Sequence, residues 1–132
     1  MSFAAGTAVT EKESQAEIKA LLSRYGCPWA EVGCNRHGNG VVKFTLSGRT
    51  VRMLMSLPGP DHRERPRRWR VMALLLKAKL EAVDSGLSTF EDEFLAHLAL
   101  ADGGTVGQRL APQLEAVCRG EANPSLAMGA GR

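Results

Sequence analysis

Residues 42–53 read VKFTLSGRTVRM, and apolar side chains alternate with polar ones on both sides of a Ser-Gly pair. A period of two is typical of a β-strand with one buried face, and Ser47-Gly48 is typical of a two-residue hairpin turn. Because the turn fixes the register of a hairpin, Lys43 is predicted to lie opposite Arg52. One face of this hairpin is therefore apolar, and the other carries two positive charges.

The alternation continues on the N-terminal side and predicts a third strand. A three-residue loop, residues 38–40, would join that strand to the hairpin, with Gly40 in the left-handed position of a bulge. An odd loop length places Val32 and Cys34 on the apolar face of the sheet. Residues 29–57 are therefore predicted to form a three-stranded antiparallel meander.

Apolar residues at helical spacing precede and follow the meander. Ser14 and Glu17 have the spacing of a capping box, which predicts the start of a first helix that Gly26 ends. A second helix is predicted from Pro66 to Ser85, and it is apolar on more than one side. A helix with that pattern belongs at the centre of a fold, packed on the sheet and on other helices.

Two shorter helices are predicted after the long one. Ser88 would cap the first, which runs to about Leu98 with Leu95 facing inward. A small hairpin is predicted over residues 100–106, and Pro112 would kink or restart the last helix. The predicted fold class is α+β: an N-terminal helix, a three-stranded antiparallel meander, a long central helix and two shorter C-terminal helices.

The 132 residues fit one domain. We expect a disordered lead over residues 1–12, a single α+β domain over residues 13–119 and a flexible tail over residues 120–132. The three cysteines are an odd number and the N-terminus has no signal-peptide pattern, which together predict a reducing, cytoplasmic environment. No apolar run approaches the roughly 20 residues of a membrane span.

No arrangement of side chains predicts catalysis or metal binding. Cys27, Cys34 and His37 share a neighbourhood, but their spacing differs from that of a zinc site and no second pair completes it. Cys34 is instead predicted to be buried as a small hydrophobe. A Gly-Asn-Gly segment precedes a strand rather than a helix, so it is not a phosphate-binding loop. We therefore expect no enzymatic activity, no metal and no cofactor.

Five arginines fall within eight residues at the predicted start of the long helix. Positive charge there opposes the helix macrodipole, so a sequence selected for stability alone would avoid it. Trp69 lies among these arginines and, if exposed, would stack on nucleic-acid bases. The candidate binding residues, with the two facing cations of the hairpin, are Arg63, Arg65, Arg67, Arg68, Arg70, Lys43 and Arg52.

A second interpretation of the same residues stays open. The arginines would pair within the chain, with Asp61, Glu64 and the acidic residues 91–93, and Trp69 would belong to the core. The net charge of +3 and the pI of about 9.0 permit a polyanionic partner without requiring one. The arginine segment is therefore either an anion-binding surface or an internally paired one.

Residues 68–117 read RWRVMALLLKAKLEAVDSGLSTFEDEFLAHLALADGGTVGQRLAPQLEAV, and they resemble a widespread family of small proteins from tailed phages and prophages. The matching landmarks are Trp69, Lys77-Ala78-Lys79-Leu80-Glu81-Ala82-Val83, Gly86, Thr89-Phe90-Glu91, Glu93-Phe94-Leu95-Ala96-His97, Asp102-Gly103, Thr105-Val106-Gly107 and Leu110-Ala111-Pro112. The resemblance is strongest over residues 69–112 and extends more loosely over residues 14–119. It implies a phage or prophage origin and brings no catalytic residue. Family members carry a longer charged insertion where this chain has only residues 58–66.

Two functions follow as expectations. The first is a non-enzymatic phage or prophage accessory protein that contacts nucleic acid or a nucleoprotein through the arginine segment. The alternative is a protein-binding inhibitor of a host defence system, of anti-CRISPR type, in which the basic patch would block a nucleic-acid-contacting surface or residues 91–93 would mimic phosphate. The partner would be nucleic acid or a nucleic-acid-binding host or phage protein, without membrane contact. The sequence leaves a homodimer open.

Overall fold

The computed structural model describes residues 9–121, and it has the α+β architecture that the sequence predicts. The predicted lead and tail fall mostly on residues 1–8 and 122–132, which lie outside the described residues. In chain order the elements are α1 (Glu11–Arg24), β1 (Ala30–Cys34), β2 (Gly40–Leu46), β3 (Arg49–Met55), α2 (Glu64–Asp84), α3 (Phe90–Phe94), a 3-10 turn (Leu95–His97), α4 (Val106–Leu110), a second 3-10 turn (Ala111–Gln113) and α5 (Leu114–Cys118).

Helix α1 begins one turn earlier than predicted. The Thr10 hydroxyl accepts a hydrogen bond from the amide of Glu13, and the Glu13 carboxylate accepts one from the amide of Thr10. The predicted cap at Ser14 is therefore wrong, and Ser14 is buried inside the helix. Both pairs have the capping-box spacing, but the earlier start adds a turn and brings Glu11 into the fold. Residues 11 and 12 thus belong to α1 and not to a disordered lead.

The three strands form an antiparallel sheet in the order β1-β2-β3, as predicted. The second hairpin has the predicted register, with Lys43 opposite Arg52. Its turn residues Ser47 and Gly48 both have positive φ, 55° and 75°, which is the geometry of a type I′ turn. The prediction of this hairpin is therefore confirmed, and the Ser-Gly turn is the feature that fixes its register.

The first hairpin differs from the prediction in its loop. Strand β1 ends at Cys34 opposite Gly40, so the loop has five residues, 35–39, and not three. The Asn35 carboxamide oxygen accepts hydrogen bonds from the amides of His37 and Asn39, and the left-handed glycine is Gly38 rather than Gly40. Because five is also odd, the predicted faces of the strands are nevertheless right.

Helix α2 begins at Glu64, two residues before the predicted start at Pro66. Pro66 fits because the first amides of a helix have no helical partner. Trp69, Leu76 and Leu80 are fully or almost fully buried between α1, α2 and one face of the sheet. Helix α2 is therefore central, as its sequence pattern indicates.

The segment after α2 consists of shorter helices than predicted, separated by 3-10 turns. Thr89, and not Ser88, caps α3, since its hydroxyl accepts a hydrogen bond from the amide of Asp92. The amide of Ser88 donates instead to the carbonyl of Ala82 at the end of α2. Helix α3 gives way to a 3-10 turn at Leu95, and the change of pitch leaves Leu95 51% exposed, so its predicted inward position is wrong. Helix α4 ends in a 3-10 turn that contains Pro112, and α5 begins after it. The predicted restart of the last helix at Pro112 is therefore confirmed.

The chain after the first 3-10 turn returns to the sheet. Leu98 forms a bridge with Val51, and the amide of Ala99 donates to the carbonyl of Thr50. Ala99 also forms a bridge with Thr105, which closes the small predicted hairpin. Strand β3 is thereby covered along part of its free edge. Within residues 9–121 no helix is long and apolar enough to cross a bilayer.

Candidate nucleic-acid interface

The seven predicted binding residues lie on two surfaces. Arg63 directly precedes α2 and the other four arginines lie in its first turns, and α2 packs on the inner, apolar face of the sheet. Lys43 and Arg52 lie on the opposite face, because they alternate with the buried residues Phe44 and Val51. We call this opposite side the outer face. The structure therefore does not unite the predicted set into one patch.

Arg65 is not available to a partner. Only 9% of the residue is exposed, and its guanidinium donates to the Glu11 carboxylate at 3.2 Å, to the carbonyl of Pro58 at 2.8 Å and to Sγ of Cys34 at 3.2 Å. The hydrogen bond to Glu11 and the charge of that carboxylate raise the pKa of Arg65 above its ordinary value. Arg65 is thus a structural residue that ties α1 and β1 to the start of α2.

Two more arginines of α2 are paired within the chain. Arg67 contacts Glu64 at 2.9 Å, and Arg70 contacts Glu17 of α1 at 2.6 Å. The interpretation of an internally paired surface is therefore right for these residues and for Arg65. Its expected partners are mostly wrong, since the carboxylates come from α1 and from Glu64 rather than from Asp61 or residues 91–93.

Arg63 and Arg68 are the exposed arginines at the start of α2. Arg68 donates to the carbonyl of Ser56 at 2.6 Å, which orients its side chain without neutralising its charge. Neither arginine forms an ion pair with any residue of the described chain. The basic character of this end of α2 therefore comes from two side chains rather than from five.

The acidic segment at residues 91–93 is also partly engaged. Glu91 contacts Arg49 at 3.2 Å, and Glu93 contacts Lys79 at 3.7 Å. Asp92 lies in the first turn of α3, where its amide donates to Thr89. Two of the three carboxylates are thus already neutralised by neighbours, which weakens the resemblance of this segment to a row of phosphates.

Trp69 is fully buried, with no measurable exposure, so it cannot stack on a base. Its ring packs against Gly40, and a Cβ added to Gly40 would lie 3.2 Å from Cζ2 of Trp69. The tryptophan that could stack is Trp29, which is 48% exposed and which sequence reasoning missed. The signal was present, because strand alternation from Glu31 back to Trp29 places this ring on the outer face.

The outer face carries a row of charged residues across all three strands. Glu31 of β1 lies opposite Lys43, and Lys43 lies opposite Arg52 of β3. Nζ of Lys43 is 5.9 Å from the centroid of the Trp29 ring, at cation–π distance. The like-charge contact between Lys43 and Arg52 is real, but Glu31 on the other side offsets part of it.

Arg52 has unmet hydrogen-bonding capacity. Its Nε is buried and has no partner among residues 9–121, and its guanidinium forms no ion pair there. An unpaired guanidinium is stabilised by a bound anion more than a paired one is. The outer face therefore presents a half-exposed indole, an ammonium beside it and a guanidinium without a carboxylate.

The cysteines and histidines form no catalytic or metal centre in the described part of the chain. No group of three or more potential ligands there could hold a metal ion. Cys34 is exposed, so its predicted burial is wrong; the buried thiol is Cys27, and burial raises its pKa. Burial, and next the charge of Lys79, lower the pKa of His97.

No protein-family model, no curated protein and no solved structure matches the chain in the comparisons with known proteins.

Proposed function

We propose that this chain is a non-enzymatic accessory protein, of the phage or prophage kind implied by the resemblance of residues 68–117, that binds single-stranded nucleic acid on the outer face of its sheet. The observation that carries the proposal is the half-exposed ring of Trp29 with Nζ of Lys43 5.9 Å from its centroid and Arg52 on the adjacent strand. In this proposal the arginines of α2 are not the main contact.

The chemistry of the three residues favours a single strand over a duplex. A base stacks on an exposed aromatic ring only when its own face is free, and bases in a duplex are already stacked on each other. Lys43 of β2 and Arg52 of β3 lie on the same side of Trp29 and would hold successive phosphates next to the stacked base. Sheet faces that combine aromatic rings with cations are a common solution to this task.

The experiment is a titration of the full chain with an oligothymidine of about 16 nucleotides, followed by tryptophan fluorescence. Trp69 is buried and Trp29 is exposed, so quenching on binding reports on Trp29. A salt series should give a slope of about −1.4 for log K against log salt, because two phosphate contacts contribute about −0.7 each on a single strand. Absence of binding at low salt contradicts the proposal.

Substitutions distinguish the outer face from the start of α2. Arg52→Gln should flatten the slope by about 0.7, and Trp29→Ala should weaken binding by about 1–3 kcal/mol. Arg63→Gln is the matched control, since Arg63 is an exposed arginine without an ion pair in the described chain and lies at the start of α2. If Arg63→Gln flattens the slope and Arg52→Gln does not, the helix start binds nucleic acid and the outer face does not.

A further inference from the structure

Helix α2 has a second feature that the nucleic-acid proposal does not use, an apolar stripe on the side that faces away from the core. Val71 and Leu75 are 47% and 44% exposed, and Ala78 is also exposed. With the half-buried residues Leu74 and Ala82 they recur every three or four positions and so share one face of the helix. We call these five residues the α2 stripe. Large side chains occupy its N-terminal half and alanines its C-terminal half.

A groove lies at each end of the α2 stripe. The N-terminal groove has a volume of about 300 Å³ and is lined by Met55, Arg67, Arg68, Val71, Met72 and Leu75. The C-terminal groove has a volume of about 550 Å³, and its lining includes Ala78, Glu81, Asp84 and Leu87. Leu87 is 85% exposed just beyond the helix. One groove is therefore apolar with a basic rim, and the other is shallow with an acidic rim.

The two ends of the stripe also carry opposite and unmet charge. Arg68 at the N-terminal end forms no ion pair, and neither do Glu81 and Asp84 at the C-terminal end, as far as the described chain goes. Each end is electrostatically unfavourable for an isolated helix, since cations at its N-terminus and anions at its C-terminus both oppose the macrodipole. A partner with the reverse arrangement would relieve both ends at once.

We propose that the α2 stripe binds the α2 stripe of a second copy of this chain. The two helices would run antiparallel, and the two-fold axis that relates them would cross the stripe at the level of residues 76 and 77. Equal sequence separation from that axis places Val71 opposite Ala82 of the second copy, and Leu75 opposite Ala78. A large side chain then meets a small one in both of these pairs, as close packing of two helices requires.

The same arrangement pairs the unmet charges. Arg68 falls level with Ser85 of the second copy, so the basic end of each helix lies against the acidic end of the other, where Glu81 and Asp84 line the C-terminal groove. Leu87 reaches the region of the apolar N-terminal groove. A surface that is complementary to itself under a two-fold rotation is the signature of an isologous dimer, and this self-complementarity favours a second copy over an unrelated protein.

The first test is the mass of the full chain in solution by sedimentation equilibrium. We expect a dimer of twice the 14.2 kDa chain mass, and we expect Leu75→Glu to convert it to a monomer. Leu54→Glu is the matched control, because Leu54 is also 44% exposed but lies on the outer face. Both variants should keep the wild-type far-ultraviolet dichroism. A wild-type monomer at every concentration, or equal dissociation by both variants, overturns the proposal.

The second test is a charge exchange. Arg68→Glu and Asp84→Arg should each weaken the dimer about tenfold, since the contact between a basic end and an acidic end occurs twice across the axis. The double variant should recover most of the loss, because the two apposed ends again carry opposite charge. Absence of recovery overturns the antiparallel arrangement. A monomer whose Leu75→Glu variant loses binding to a different protein would assign the stripe to that protein instead.

These tests are independent of the nucleic-acid titration. The dimer involves none of Trp29, Lys43 and Arg52, so either proposal can fail while the other stands.

Discussion

Arg65 connects three parts of the chain, because its guanidinium reaches Glu11 in α1, Pro58 after the sheet and Cys34 at the end of β1. Its position could have been predicted from spacing. Arg65 precedes Trp69 by four residues and Met72 by seven, so all three share the buried face of α2. A run of arginines therefore has to be divided by helical face before any of its members is assigned to solvent.

Removing Arg65 should destabilise the fold. Arg65→Met leaves the Glu11 carboxylate and the Pro58 carbonyl without their donor, and we expect a loss of about 3 kcal/mol in the free energy of unfolding. Arg65→Lys should lose less, since it keeps the charge but not the planar fork. The measurement is urea denaturation followed by circular dichroism.

The control for this prediction is Arg63→Met, two residues away on an exposed position. A change there should stay within about 0.5 kcal/mol, as for most surface substitutions. Equal stability losses for Arg63→Met and Arg65→Met would show that the contacts of Arg65 contribute nothing particular.

Trp29 and Trp69 also show that residue type and neighbours in sequence do not by themselves tell which side chain is exposed. Composition draws attention to the tryptophan among the arginines, but Trp69 is buried and Trp29 is the exposed one. The alternation of the meander contained this information, since Trp29 stands one residue before β1 with outer-face parity. What the sequence could not supply was the distance of 5.9 Å between Trp29 and Lys43, which depends on the side-chain rotamers of both residues.

At the level of elements, the meander was predictable because its turn chemistry, its alternation and its apolar face agree. The helix starts were less predictable. Two capping boxes compete at α1, and two hydroxyl residues compete before α3. In each case the observed helix start is accompanied by a contact outside the local pattern: Arg65 reaches Glu11, and the amide of Ser88 donates to the end of α2. Local pattern alone cannot resolve such alternatives.

The glycines of the first hairpin should respond differently to substitution. A Cβ added to Gly40 would lie 2.7 Å from Cε of Met55 and 3.2 Å from Cζ2 of Trp69, whereas one added to Gly33 would meet nothing within 4 Å. We expect Gly40→Ala to destabilise the protein by about 1–2 kcal/mol through overpacking. Gly33→Ala should stabilise it by about 0.5 kcal/mol, because a strand glycine loses more backbone entropy on folding.

Thermal or urea denaturation of the two variants checks this pair directly. The Met55 side chain is flexible and can move away, so Gly40→Ala combined with Met55→Ala should separate its contribution from that of the rigid Trp69 ring. A Gly40→Ala protein as stable as Gly33→Ala would show that the inner face at the end of β2 is looser than the structure indicates.

At the scale of the whole molecule, stability should depend on pH near neutrality through His97. Burial and the charge of Lys79 lower the pKa of His97 from its ordinary value of 6.5. The unfolded chain therefore binds a proton in a range where the folded chain does not, and the contribution of His97 to stability is present above pH 6.5 and is lost as pH falls below it.

We expect the thermal unfolding midpoint to decrease as pH falls through this range, and to decrease less in His97→Gln. Exposed His37 provides the control, and His37→Gln should retain the wild-type dependence. The same midpoint change in wild type and His97→Gln would assign the pH dependence to other groups.

The distribution of charge over the whole molecule could be predicted only in part from the sequence. The arginine cluster was evident, but its division into a buried tie, two ion pairs and two exposed side chains required the packing of α1 against α2. Helix–helix register is set by side-chain interdigitation over the entire contact and is not encoded in any short segment.

The contact between α1 and α2 also bears on how the chain folds. The two hairpins close over loops of two and five residues, whereas Arg65 and Glu11 are 54 positions apart. Closing the longer loop costs more chain entropy, so the meander should form early and the two helices should dock late. Contacts made after the rate-limiting step slow unfolding without accelerating folding. The Arg65 tie would thus govern how long a molecule stays folded rather than how quickly it becomes so.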